Sequence, residues 1–85
     1  MEEYRITVTY IDYSDDYIKF TTLREALAWV ARNAANIGDV LIARYCKDED
    51  ETYYTNTCKT WYFTREDLIG EDAYYQEIRK RKEVK

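Results

Sequence analysis

The scarcity of aliphatic side chains constrains this chain more than any other feature. Ile, Leu, Val and Phe together supply 17 of its 85 residues, at the boundary below which chains stay disordered for want of burial. Ten tyrosines and two tryptophans make up the shortfall, because each brings a large apolar area with a polar tip. A sheet on which several rings lie flat puts that area to use. Tyrosines in excess of the core are expected on the surface, where rigid aromatic area favours protein contact. The length allows one small domain, spanning residues 1–85.

The pattern along the chain agrees. Tyr4, Ile6, Val8 and Tyr10 alternate with Arg5, Thr7 and Thr9, which predicts a half-buried strand. Residues Asp12 to Asp16 favour Asx-type turns, and Tyr17 to Phe20 resume the alternation, so a hairpin is expected. Thr22-Leu23-Arg24-Glu25 has the spacing of a capping box and opens a helix. Leu23, Ala26, Leu27, Val30, Ala34 and Ile37 form its apolar stripe, with Trp29 at the edge of the core. Gly38 is read as the left-handed residue that ends this helix.

Asp39 to Cys46 reads as a central strand, and Thr52 to Phe63 as one strand or two short ones, interrupted at Asn56. The four acids Asp48, Glu49, Asp50 and Glu51 between them belong on a hairpin tip. Thr64 to Asp67 is a second capping sequence, Gly70 interrupts the helix it starts, and a final helix runs from Glu71 to Lys82. That last helix has only Tyr74, Tyr75 and Ile78 as sizeable apolar groups, so it packs weakly or on a partner. The expected fold is α+β: a four-stranded, mostly antiparallel sheet in the order β-β-α-β-β-α, with the main helix packed on one face.

The charge is unevenly spread. The formal net charge is −4, but residues 79–85 hold five bases and one acid, leaving −8 on residues 1–78. An acidic body with a basic tail repels phosphate backbones and attracts basic surfaces. No apolar run is long enough for a membrane span, and the start Met1-Glu2-Glu3 does not read as a leader, so no membrane partner is expected.

The chemistry available is limited. There is no histidine, the one serine is Ser14 in a turn, and two glycines make no phosphate loop. Cys46 and Cys58 are too few ligands for a structural zinc. A hairpin centred on residue 52 would set the two cysteines opposite each other within reach of a disulfide, but a reduced pair in the cytoplasm is the expected state. Adjacent acids at Asp15-Asp16, Asp48 to Glu51 and Glu71-Asp72 could serve as acids, bases or magnesium ligands, yet fall on turns and helix starts that preorganise no pocket. No enzymatic activity, cofactor or metal is expected. The candidate partner-binding residues are Asp48, Glu49, Asp50 and Glu51 with Tyr53 and Tyr54, and a second acidic group, Glu66, Asp67, Glu71 and Asp72. Such groups can enter a basic groove and pair with Arg and Lys as phosphates do. The alternative is a nucleic-acid-binding module using Tyr53, Tyr54, Trp61 and Tyr62 with the bases Arg79 to Lys82.

A tiny, acidic, proline-free and tyrosine-rich domain of this order resembles the small anti-defence proteins of phages and mobile elements, anti-CRISPR proteins above all. The resemblance covers size, charge and architecture over the whole chain and rests on no motif, so it transfers no residue. It implies a non-enzymatic inhibitor that binds a basic nucleic-acid-binding surface of a CRISPR effector in the host cytoplasm. The basic tail departs from simple phosphate mimicry and allows a contact of both signs.

Overall fold

The computed structural model describes residues 3–47 and 54–83. The chain forms β1 (Glu3–Tyr10), β2 (Asp15–Phe20), α1 (Leu23–Asn33), a 3-10 turn (Ala34–Asn36), β3 (Ile37–Lys47), β4 (Tyr54–Phe63), α2 (Arg65–Ile69) and α3 (Glu71–Glu83). All four strands join one antiparallel sheet in the order β2-β1-β3-β4. The α+β class and the β-β-α-β-β-α order are those expected, with the last helical stretch split in two.

The alternation of β1 sets the core. Tyr4, Ile6 and Val8 are buried beside Val40 and Ile42 of β3, and Ala26 and Val30 of α1 close over them. Phe20, Trp29, Trp61, Phe63 and Leu68 pack around that centre half-buried, so the aromatic rings do extend a small aliphatic core. Trp29 sits at the core edge with its ring centroid 6.5 Å from that of Phe20.

Local signals explain the ends of most elements. The Thr22 hydroxyl accepts the amide of Glu25 at 3.1 Å, and the Glu25 carboxylate accepts the Thr21 hydroxyl. Thr64 and Asp67 make a full reciprocal capping box at the start of α2. Gly70, at φ +90°, separates α2 from α3, a conformation that favours glycine. In the β1–β2 turn the Asp12 carboxylate accepts the Ser14 amide at 3.0 Å, and Tyr13 takes a left-handed φ of 71°.

Gly38 departs from expectation. Helix α1 ends at Asn33, four residues before Ile37, and both Ile37 and Gly38 belong to β3. Thr9 pairs with Asp39 and Tyr10 with Ile37, so Gly38 is the extra residue of a bulge. The extra residue lets Ile37 and Val40 both reach the core although three positions apart. A Cβ on Gly38 would lie 3.2 Å from the carbonyl oxygen of Thr9. Glycine is needed here for close approach between strands, not for a left-handed helix end.

The cysteines also differ from expectation. Cys46 and Cys58 are joined in a disulfide with Cα atoms 6.2 Å apart. They are not directly opposite: Cys46 pairs with Asn56, and Cys58 is the extra residue between the Arg44–Lys59 and Tyr45–Thr57 pairs. The bulge brings the two close without direct pairing. Free thiols are thus not the state of this fold, and the cysteines no longer argue for a reducing compartment. Strand β4 itself runs on through Asn56, its register shifting there where a break was expected.

Candidate protein-binding surface

Two surfaces collect the exposed aromatic and charged side chains. The first is the end of the sheet where the β1–β2 turn, the start of β3 and the start of α2 meet. A shallow cleft of about 350 Å³ opens there, lined by Thr9, Tyr10, Ile11, Tyr13, Gly38, Asp39, Arg65 and Tyr74. Its floor is held by Arg65, whose Nη1 donates to the carbonyls of Ala34 and Ile37 at 2.7 and 2.8 Å. The other edge of the same guanidinium grips Glu77 of α3 at 3.2 and 2.8 Å. One side chain therefore ties β3, the 3-10 turn, α2 and α3 together.

Carboxylates surround the tyrosine hydroxyls at this end. Tyr10 donates to Asp16 and Tyr62 to Asp39, each at 3.4 Å. Burial of its hydroxyl, followed by the charges of Asp16 and Asp12, raises the phenol of Tyr10 above its ordinary pKa. For Tyr62 the charge of Asp39 is the main cause, with partial burial next and Asp67 adding to it. Both phenols stay protonated and present hydroxyls among acids. These acids, Asp12 and Asp16, Asp39, and Asp67, come from three segments far apart in sequence that the fold brings to the tyrosine hydroxyls.

The expected site residues divide accordingly. Asp48, Glu49, Asp50, Glu51 and Tyr53 lie outside the described residues, and Tyr54 is described only as the start of β4. Glu66, Asp67, Glu71 and Asp72 stand in the first turns of α2 and α3; none of them lines that cleft, and Asp72 lines a separate hollow with Tyr75, Gln76 and Arg79. Asp67 is partly committed, since its carboxylate accepts the amide and hydroxyl of Thr64 at 2.9 and 3.0 Å. Sequence reasoning missed Asp12, Asp15, Asp16 and Asp39 as members of the acidic end. No local motif marks them; only the hairpin register places them there.

The second surface is the face of the sheet away from α1. Cross-strand partners share a face, so the register reads off its rows. Tyr17, Thr7, Leu41 and Tyr62 form one row across all four strands. Lys19, Arg5, Ala43 and Thr60 form the next row on one side, and Asp15, Thr9 and Asp39 the row on the other. Tyr62, Tyr17 and Leu41 are 58%, 51% and 37% exposed. Arg5 lies 4.0 Å from the ring centre of Tyr45 and pairs with Glu3 at 2.7 Å. The hydrogen bonds that it donates to Glu3 are the main reason its guanidinium is held more firmly protonated than usual.

Trp61 and Tyr62 do not act as one aromatic platform. Trp61 packs on the core side, its centroid 6.3 Å from that of Tyr4, while Tyr62 faces outward. Adjacent strand residues point to opposite faces, so the alternation already carried this. Among the described residues no group of three Cys, Asp or Glu side chains converges to hold a metal ion. No helix among them is long and apolar enough to cross a membrane.

The fold and these surfaces define an α+β domain built on an antiparallel four-stranded sheet. Set against known protein families, curated proteins and solved structures, the chain matches none.

Proposed function

We propose that this domain is a non-enzymatic inhibitor that occupies a basic, nucleic-acid-binding surface of a partner protein, in the manner of the anti-CRISPR proteins it resembles. One observation carries the reading. Asp12 and Asp16, Asp39, and Asp67, from three separate segments, act on the hydroxyls of Tyr10 and Tyr62 at one end of the sheet, beside a cleft lined by Tyr13 and Tyr74. Carboxylates meet Arg and Lys in such a contact, and the tyrosines supply rigid area that excludes water. The four acids Asp48 to Glu51 supply a second anchor. The site of action is the cytoplasm, where CRISPR effectors work.

The competing reading is a nucleic-acid-binding module. Arg5 and Lys19 share the outer face with Tyr17, which supports it, but Arg5 is engaged by Glu3 and Asp15 and Asp39 stand on the same face. One experiment separates the two. A panel of CRISPR effector complexes is assayed for target-DNA binding with the protein, and DNA and RNA probes are assayed with the protein alone. The inhibitor reading expects DNA binding by an effector to fall, inhibition to weaken as salt rises, and no shift of free probes. The triple variant Glu66→Lys, Glu71→Lys, Asp72→Lys should lose inhibition by about tenfold or more while its circular dichroism is unchanged. A probe shift with no effector inhibited would replace this reading with the module.

A further inference from the structure

The outer sheet face is electrostatically self-complementary. Its central row, Tyr17–Thr7–Leu41–Tyr62, is apolar and aromatic apart from Thr7. Asp15 and Asp39 lie on one side of that row and Lys19 and Arg5 on the other, where Glu3 pairs with both bases and leaves that side with one net positive charge. Along β2 alone, Asp15 and Lys19 stand two residues either side of Tyr17, about 7 Å each way at strand rise. A uniformly acidic face would repel its own copy. This one is divided, with opposite signs equally spaced about an apolar line.

We infer that this face is the interface of a two-fold homodimer whose axis runs along the Tyr17–Thr7–Leu41–Tyr62 row. Such an axis reverses strand direction between copies, so each residue meets the one related by reflection across the row. Lys19 of one copy then faces Asp15 of the other, and Arg5 comes beside Asp39, while Tyr17, Leu41 and Tyr62 each meet their own counterparts. The contact is isologous and closes at two copies. It matches the aligned packing of antiparallel sheets at about 10 Å separation, with allowance for an angle of about 30°. Lys19 is the freer of the two bases: its ion pair with Glu3 is long, at 3.9 Å, and its side chain is 60% exposed. The dimer leaves Tyr10, Tyr13 and Tyr74 open but covers Tyr62, Asp15 and Asp39, so it competes with the proposed inhibitory contact for part of one surface.

The test is sedimentation of the full chain over a concentration series, with charge exchange at the paired positions. The wild type should pass from 10.3 kDa to twice that mass as concentration rises. Asp15→Lys alone and Lys19→Glu alone should each raise the dimer dissociation constant by about tenfold or more. The double variant, which restores opposite signs across the axis, should recover most of the loss. Thr7→Glu, which sets two carboxylates together on the axis, should give a monomer with an unchanged circular dichroism spectrum. A wild type monomeric at every concentration would overturn the inference. So would a dimer indifferent to Thr7→Glu, or a double variant no better than the singles.

Discussion

Arg65 shows how much of this fold rests on one side chain with no partner nearby in sequence. Its guanidinium binds two backbone carbonyls and both oxygens of Glu77, and the side chain is only 13% exposed. Arg65→Lys keeps the charge but loses the planar fork. It should cost about 2 kcal/mol in urea unfolding, the scale of hydrogen bonds to charged groups, and a loss within error of zero would refute the role. Tyr62 makes a second prediction. Its phenol pKa is raised, chiefly by Asp39, so the folded state holds this proton more tightly than the unfolded chain does. The associated stability is full below the ordinary phenol value of about 10 and is lost as pH rises through the folded value. Alkaline titration of phenolate absorbance should show a late-ionising tyrosine, and Asp39→Asn should bring it earlier; an unmoved curve would show that Asp39 does not set it. Neither role was legible beforehand. The first capping residue of a helix and its neighbours are local signals, whereas Arg65 and Asp39 acquire their partners only through the register of distant strands.

The elements divide in the same way. The alternation of β1, the Asx turn and both capping sequences were readable because each depends on residues within about four positions of one another. The end of α1 was not, because Ala34 and Ile37 continue a helical stripe whether or not the backbone continues as a helix. Ile37 is buried in either geometry; what decides between them is the bulge at Gly38, set by pairing with β1. The β3–β4 hairpin shows the same limit, since a single extra residue moved Cys58 out of register with Cys46 and still left the two bonded. That disulfide closes the outer part of the hairpin, where Cys46 pairs in the ladder with Asn56 and not with a residue of the buried core cluster. A double Cys46→Ser, Cys58→Ser variant should therefore lose about 2 kcal/mol or less in thermal unfolding, at the low end for a short loop, and keep its circular dichroism. Failure of that variant to fold would show that the sheet depends on the covalent link.

At the scale of the whole molecule the chain is long and narrow, 56 by 21 by 17 Å. Of the acids named from the sequence, Asp67 acts on Tyr62 together with Asp39, at the end of the sheet that also carries Asp15. The fold class and the order of elements were legible because they follow from periodicity; the composition of the acidic end was not, because it follows from topology. The sheet order β2-β1-β3-β4 has one more consequence. It puts β2 and β4 at the margins, where unpaired backbone groups invite strand-to-strand aggregation. Strand β2 is six residues long and carries Asp15, Asp16 and Lys19, while β4 breaks register twice near a disulfide. Short length, charge and bulging blunt each margin against the endless pairing that builds fibrils. Edges so guarded leave the faces and the ends of the sheet as the surfaces open to contact.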